Sequence, residues 1–300
     1  MNRNLKDTIA EGITGVSVLL IIFVIISILA VTVVGGWSKL NFSFLTEFPK
    51  DGMTRGGIFP AIVGTALMTL IMAVAAVPFG VITAVYLAEY ASEKSVFAKS
   101  IRFAVKTLAV VPSIIFGLFG LGFFIGFIGR NMDTLFSGGA LKWGQPNILW
   151  ASLTMALLTL PVVIVSVEEA IRTIPREMRE ASLALGATKW QTIRRVILPQ
   201  ALPGILTGAI LSVSRGAGEV APIMFTGAAY YLPYLPTSPT DQFMELGYHV
   251  YVMSTQSPDV EATKPVLYGT VLVLLCLTLT LNFAAIVIRS KMRTSMRRAV

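Results

Sequence analysis

The chain has 300 residues, 55% of them hydrophobic and 13% charged, with a mean hydropathy of +0.76, a balance that excludes an ordinary soluble domain. A formal net charge of +8 points first to nucleic acid. Lys and Arg, however, fall between apolar runs and not on a stripe with interleaved aromatics, so the charge reports membrane topology and no nucleic-acid partner is expected.

In chain order, uncharged runs cover Gly12–Ser38, Ile58–Ala88, Thr107–Gly129, Ile148–Val167 and Val266–Ile288. Each holds roughly 20 residues or more, which at about 1.5 Å per residue crosses a hydrocarbon core about 30 Å thick. A sixth span, from Leu202 to about Phe225, is interrupted by Arg215 and Glu219 but keeps the small residues of a helix buried against neighbours. The fold class is therefore an all-α membrane protein with six transmembrane helices. Pro78, Pro112 and Pro161 lie within spans and predict kinks or breaks. The first span is longer than a signal-peptide core and lacks a small-x-small exit, so it is read as retained. The chain divides into 1–57 (first span and outer loop), 58–288 (the main bundle) and 289–300 (a basic tail that fixes topology and touches anionic lipid).

Placing the N-terminus in the cytoplasm puts seventeen of the 24 Lys and Arg inside: two before the first span, four at 94–106, six in 168–203 and five after Ile288. Six fall outside (Lys39, Lys50, Arg55, Arg130, Lys142 and Lys264) and Arg215 stays in the membrane, so both termini are expected inside.

The segment 168–203 is the one long charged insert between spans. Glu168–Leu185 reads as helix, Gly186 as a stop or bend, and Thr188–Leu198 as a second helix closed by Pro199 and Pro203. Arg172, Arg176, Arg179, Lys189, Arg194 and Arg195 keep it out of lipid, while its alanines and glycine leave a low surface for another protein. An amphipathic helix resting on anionic headgroups is the other reading.

Within it, Glu180-Ala181-Ser182, then Gly186, then Val196-x-Leu198-Pro199 resembles the EAA signature of ABC-importer permeases. Ser182 replaces an Ala of that pattern and Val196 an Ile. The resemblance implies a coupling helix seated in a groove of a separate ATPase, with Glu180, Ala181, Gly186, Leu198 and Pro199 as coupling residues. Six spans, the position of this segment, and Ser214–Pro222 followed by Thr226–Ala229 are similar to the A-type permease of the phosphate-specific (Pst) uptake system. That family implies a type I ABC importer fold over 58–288 in a bacterial inner membrane. It also implies a C-type permease partner, two ATPase subunits that hold ATP and Mg, and an extracytoplasmic phosphate-binding protein. The chain itself has no G-x-x-x-x-G-K-[ST] loop, so it is expected to be no enzyme and to carry no cofactor.

Arg215 and Glu219 are the candidate substrate residues, with Ser212. A central membrane Arg costs about 2.5–3.5 kcal/mol on insertion scales and so turns toward a partner or a wet path. Gly208, Ser212, Arg215, Glu219 and Pro222 recur at helical spacing opposite Leu206, Ile210, Val213, Val220 and Met224, and that small, polar stripe is expected to line the pathway. Arg215 stays charged and can grip two phosphate oxygens, while Glu219, one turn on, holds it between substrates. A purely structural ion pair remains the other reading. Also open are other oxyanions (phosphonate, sulfate) and a secondary anion carrier that needs no ATPase.

Remaining features read as packing or loop chemistry. Cys276 has no partner cysteine and is read as packing, His249 sits in the outer loop before the last span as a satisfied loop residue, and neither suggests a metal site. The 226–265 segment, rich in Tyr and Pro, is either a docking surface for the binding protein or a solvated loop.

Overall fold

Apolar stretches with few breakers wind into helices, and among the described residues of the computed structural model six are long and apolar enough to cross a membrane. The structure describes residues 5–50, 55–92, 94–136, 138–257 and 259–298; Arg3 and the last two tail residues fall outside it, as do the side chains of Lys6, Arg289, Arg293, Arg297 and Arg298.

α1 (Leu5–Gly36) stands at the edge, almost wholly exposed, its last turn pressed on the backbone of Tyr268 and Gly269. A short α2 (Phe42–Thr46) and a hairpin of β1 (Pro49–Lys50) with β2 (Arg55–Gly56) lead to α3 (Phe59–Val85), which ends in a π-helical turn, Tyr86–Tyr90. α4 (Val96–Leu108) is a separate amphipathic helix. α5 (Ser113–Phe119), a π-helical stretch Gly120–Gly129 and α6 (Arg130–Phe136) form the third rod. α7 (Ile148–Arg172), capped by the Asn147 side chain, is the most buried span and packs against both α3 and residues 198–216. After it come α8 (Arg176–Ala184) and α9 (Lys189–Thr192). A π-helical turn, Ile193–Ile197, then joins α9 to α10 (Leu198–Gly216). α11 (Ile223–Thr226), α12 (Leu246–Thr255) and α13 (Val260–Arg298) complete the chain.

Two of the buried apolar clusters hold opposite ends of the bundle. Met68, Met72, Phe116, Met155 and Ile223 join α3, α5, α7 and α11, and Ala84, Val167, Ile171, Ile193 and Ile197 join the opposite ends of α3, α7 and the 189–216 rod. Lipid is as apolar as these side chains, so close fit decides association. At Gly204 a Cβ would lie 2.1 Å from the Cβ of Ala170, so α7 and α10 touch there only because glycine has none.

Three boundaries differ from those expected. The third span is Ser113–Phe136 and not 107–129, because 96–108 breaks off as its own helix before Pro112. The fifth is Lys189–Gly216 and not Leu202–Phe225. It stops where Gly216, Ala217 and Gly218, all but one poor helix formers, precede a proline that disfavours helical backbone in Ala221. Pro199 and Pro203 do not close the coupling segment. The wider turn at 193–197 relieves the clash of Pro199 with the carbonyl four residues earlier, and the helix continues. Cys276 is exposed on α13, outside the packing expected for it.

Candidate functional site

The α8–α9 hairpin is built by local chemistry. Gly186 has φ +86°, and its N–H and that of Ala187 donate to Leu183 O (2.9 Å) and Ser182 O (3.2 Å), a Schellman end to α8. No atom crowds Gly186; the left-handed backbone alone selects glycine, at about 1–2 kcal/mol against other residues. Thr188 and Gln191 then form a reciprocal capping box that starts α9, and Ser182 Oγ lies 2.9 Å from Thr192 Oγ1, tying the two helices. No residue of α8 is buried; Glu180, Ala181, Ala184 and Gly186 are exposed, and so are Leu183, Leu185 (90% exposed) and Trp190. Leu198 is half-buried and Pro199 exposed beyond them on the rod. An apolar surface on an otherwise charged hairpin is the mark of a contact surface.

Charges read in the sequence as solvent-facing turn out to anchor this hairpin. Arg179 donates to Ile171 O and Ile174 O (2.8 and 2.6 Å), capping the end of α7, and to Glu89 Oε1 (2.8 Å) at the end of the α3 rod. Glu168 Oε1 accepts from both Arg102 of α4 (3.1 Å) and Arg172 (2.9 Å). Glu89 and Glu168 were missed; the available signal was a carboxylate directly abutting an apolar span.

Arg215 lies in the last turn of α10, where its cation meets the negative end of the helix dipole. The next residue, Gly216, packs on Met72, the middle residue of α3, so Arg215 is at mid-depth of the bundle. Glu219 is not one helical turn away: it lies beyond the helix end, across a tight turn, with Oε1 3.6 Å from Arg215 Nε. The Arg215 side chain is 44% exposed in the isolated chain and Glu219 21%. Ser212 does not share that face. It is fully buried, donates to Ala209 O (2.8 Å), and lies in line with Gly208, which meets Ser166 of α7. Irregular backbone at 217–222, at this depth, is tolerated only inside protein or beside a wet cavity.

At the other end, the long connector is pinned to the bundle: Asn147 N donates to Thr226 O (2.9 Å) and Ile148 N to Asp241 O (2.8 Å). His249 is not a loop residue. It lies buried on α12, its Nδ1 3.3 Å from Thr270 Oγ1 and its Nε2 without a partner. One turn earlier, Glu245 caps α12 by accepting from Tyr248 N (2.6 Å) and approaches Thr65 Oγ1 (3.4 Å). Burial pushes Glu245 up to about 7 despite the N–H donors of Gly247 and Tyr248 and the Thr65 hydroxyl. Burial takes His249 down to about 4. Among the described residues no cluster suited to a metal occurs.

Residues 76–298 match the family described as binding-protein-dependent transport system inner membrane component. The chain belongs to that family. The permease is 32% identical over 298 residues to a probable ABC transporter permease protein, YqgI, of Bacillus subtilis (strain 168), covering 95% of each chain. It is 33% identical to the phosphate transport system permease protein PstA of Yersinia pestis, over 96% of this chain and 92% of that one. With the probable PstA of Methanocaldococcus jannaschii it shares 30% identity, over 93% and 92%. Among solved structures, a bacterial ABC transporter involved in alginate import superposes with a TM-score of 0.65 at 15% identity, over 95% of this permease and 96% of that chain. The MetNI methionine ABC transporter, facing inward, gives 0.57 at 19% identity, over 77% and 94%. The permease is thus a multi-pass, all-α membrane protein with the type I ABC importer fold.

Proposed function

We propose that this permease carries inorganic phosphate inward across a bacterial inner membrane as one half of an ATP-driven importer. Both termini and the α8–α9 hairpin face the cytoplasm; a C-type permease is its partner, two ATPase subunits holding ATP and Mg dock on the hairpin, and an extracytoplasmic phosphate-binding protein delivers substrate. The PstA relatives span more than nine-tenths of the chain, and the alginate transporter has been solved with a substrate-bound periplasmic protein.

The observation that carries the reading is Arg215, half-exposed at mid-depth beside a break in its helix. In the isolated chain that exposure leaves the guanidinium open to a second permease. A planar guanidinium there offers two parallel donors to phosphate oxygens, and Glu219 gives it a resting partner that the substrate displaces. Drive reaches it mechanically. Lys189–Gly216 is one helix of 28 residues, about 42 Å long, so displacement of α9 moves a rod whose far end holds Arg215. Glu89–Arg179 passes the same motion to α3.

The test is phosphate uptake by Arg215→Gln in the assembled complex. Loss of uptake by at least tenfold, with assembly and ATP hydrolysis retained, is expected, since about 1.4 kcal/mol of lost binding suffices. Near-normal transport, or sulfate or phosphonate taken up in preference to phosphate by the unaltered complex, overturns the assignment.

A further inference from the structure

Two clefts beside the hairpin share lining residues and form one groove. The first, about 450 Å³, is bounded by the ends of α3, α7 and α8 and carries Arg102, Arg172, Arg176 and Arg179. The second, about 280 Å³, runs between α4 and α7 past Val105 and Val165, with Lys106 at its edge. They share Leu87, Arg102 and Arg172, so an apolar channel along a membrane span opens into a pocket of guanidinium groups.

Charges in the groove do not cancel. Glu89 is taken by Arg179, and a single oxygen of Glu168 serves two guanidiniums, which engage it through Nε and Nη2 and leave Nη1 of each unspent among the described residues. Glu169 and Glu180 stand against Lys106 and Arg176, neither of which forms an ion pair among the described residues. The groove therefore has one base in excess, the complement of a singly charged phosphodiester.

α4 is shaped for the same neighbour. Its inner face buries Ala98 and Val105, while Phe97 (65% exposed), Phe103 (72%) and Val96 (78%) point outward beside exposed Lys99 and Lys106. A helix with aromatic and basic residues on its free face lies in the headgroup layer.

We propose that this groove binds one anionic phospholipid, its acyl chain along Val105 and Val165 and its phosphodiester among Arg102, Arg172 and Arg176. The lipid then braces the foot of α8 against α4. This rests on reading the α8 end as the cytoplasmic face of a membrane protein, but not on phosphate as cargo.

The experiment is lipid retention by the assembled, delipidated transporter, read by native mass spectrometry after exposure to micelles containing phosphatidylglycerol or phosphatidylcholine. Selective retention of phosphatidylglycerol is expected, weakened about fivefold by Lys106→Gln and again by Arg176→Gln. Inorganic phosphate should not displace it. Equal retention of phosphatidylcholine, unchanged retention in both variants, no retention in the presence of the ATPase subunits, or displacement by phosphate at millimolar concentration would each overturn the proposal. Because no transport is measured, its failure is distinct from failure of the phosphate reading.

Discussion

Glu245 and His249 sit one turn apart on α12, fully buried, and their titrations oppose each other. Glu245 holds its proton in the folded chain up to about 7 against an ordinary 4.5, so it contributes stability that is complete below 4.5 and lost as pH rises through 7. His249 stays neutral down to about 4 against an ordinary 6.5, so its contribution is complete above 6.5 and lost as pH falls through 4. Between 4.5 and 6.5 folded and unfolded chains hold the same number of protons at this pair, and its contribution is flat. We expect His249→Gln to make stability fall with rising pH across that window and Glu245→Gln to make it fall with decreasing pH, each by an amount on the order of 3 kcal/mol. Thermal unfolding in detergent from pH 4.5 to 7 measures this; parallel curves for both variants and the parent would contradict it. The seam was illegible in the sequence because burial of a short helix against α3 and α13 is a tertiary fact. By contrast, the depth of Arg215 in the bundle was legible, since the residue interrupts a long apolar run. Ser212 was misplaced on the stripe with it because periodicity gives a face but not its neighbour.

At the scale of elements, the 168–203 hairpin divides into what sequence could show and what it could not. Its bend at Gly186 between two helices was visible, but the break of Glu168–Leu185 at Thr173–Pro175 into the end of α7 and a separate α8 was not. The continuation through Pro199 was not, because a proline reads as a stop unless a π-helical turn absorbs it. Nor could sequence pair Arg179 with Glu89, ninety positions away. That pair is two-thirds or more shielded on both sides, so Glu89→Gln should weaken it by about 2 kcal/mol, as for a charged hydrogen bond. A double-mutant cycle with Arg179→Gln, read as uptake per ATP hydrolysed, is the check. Coupling energy should appear in that ratio, and a cycle that closes to zero would remove the pair from force transmission.

For the whole molecule, matching apolar runs to the thickness of a bilayer yielded six spans, and the described residues hold six. The end of the fifth escaped because Val220 to Phe225 is apolar again after the helix has stopped: hydropathy records surroundings, not backbone conformation. That break is also what sets Arg215 at a helix terminus. The proposed function requires that this chain move phosphate only when driven from the α8–α9 hairpin. Radiolabelled phosphate uptake addresses this in proteoliposomes holding the permease and its C-type partner, with binding protein, and with or without ATPase subunits and ATP. Uptake is expected only with all components present. Phosphate uptake or exchange by the permease pair without the ATPase, or no phosphate uptake by the complete and hydrolysing assembly, would refute it.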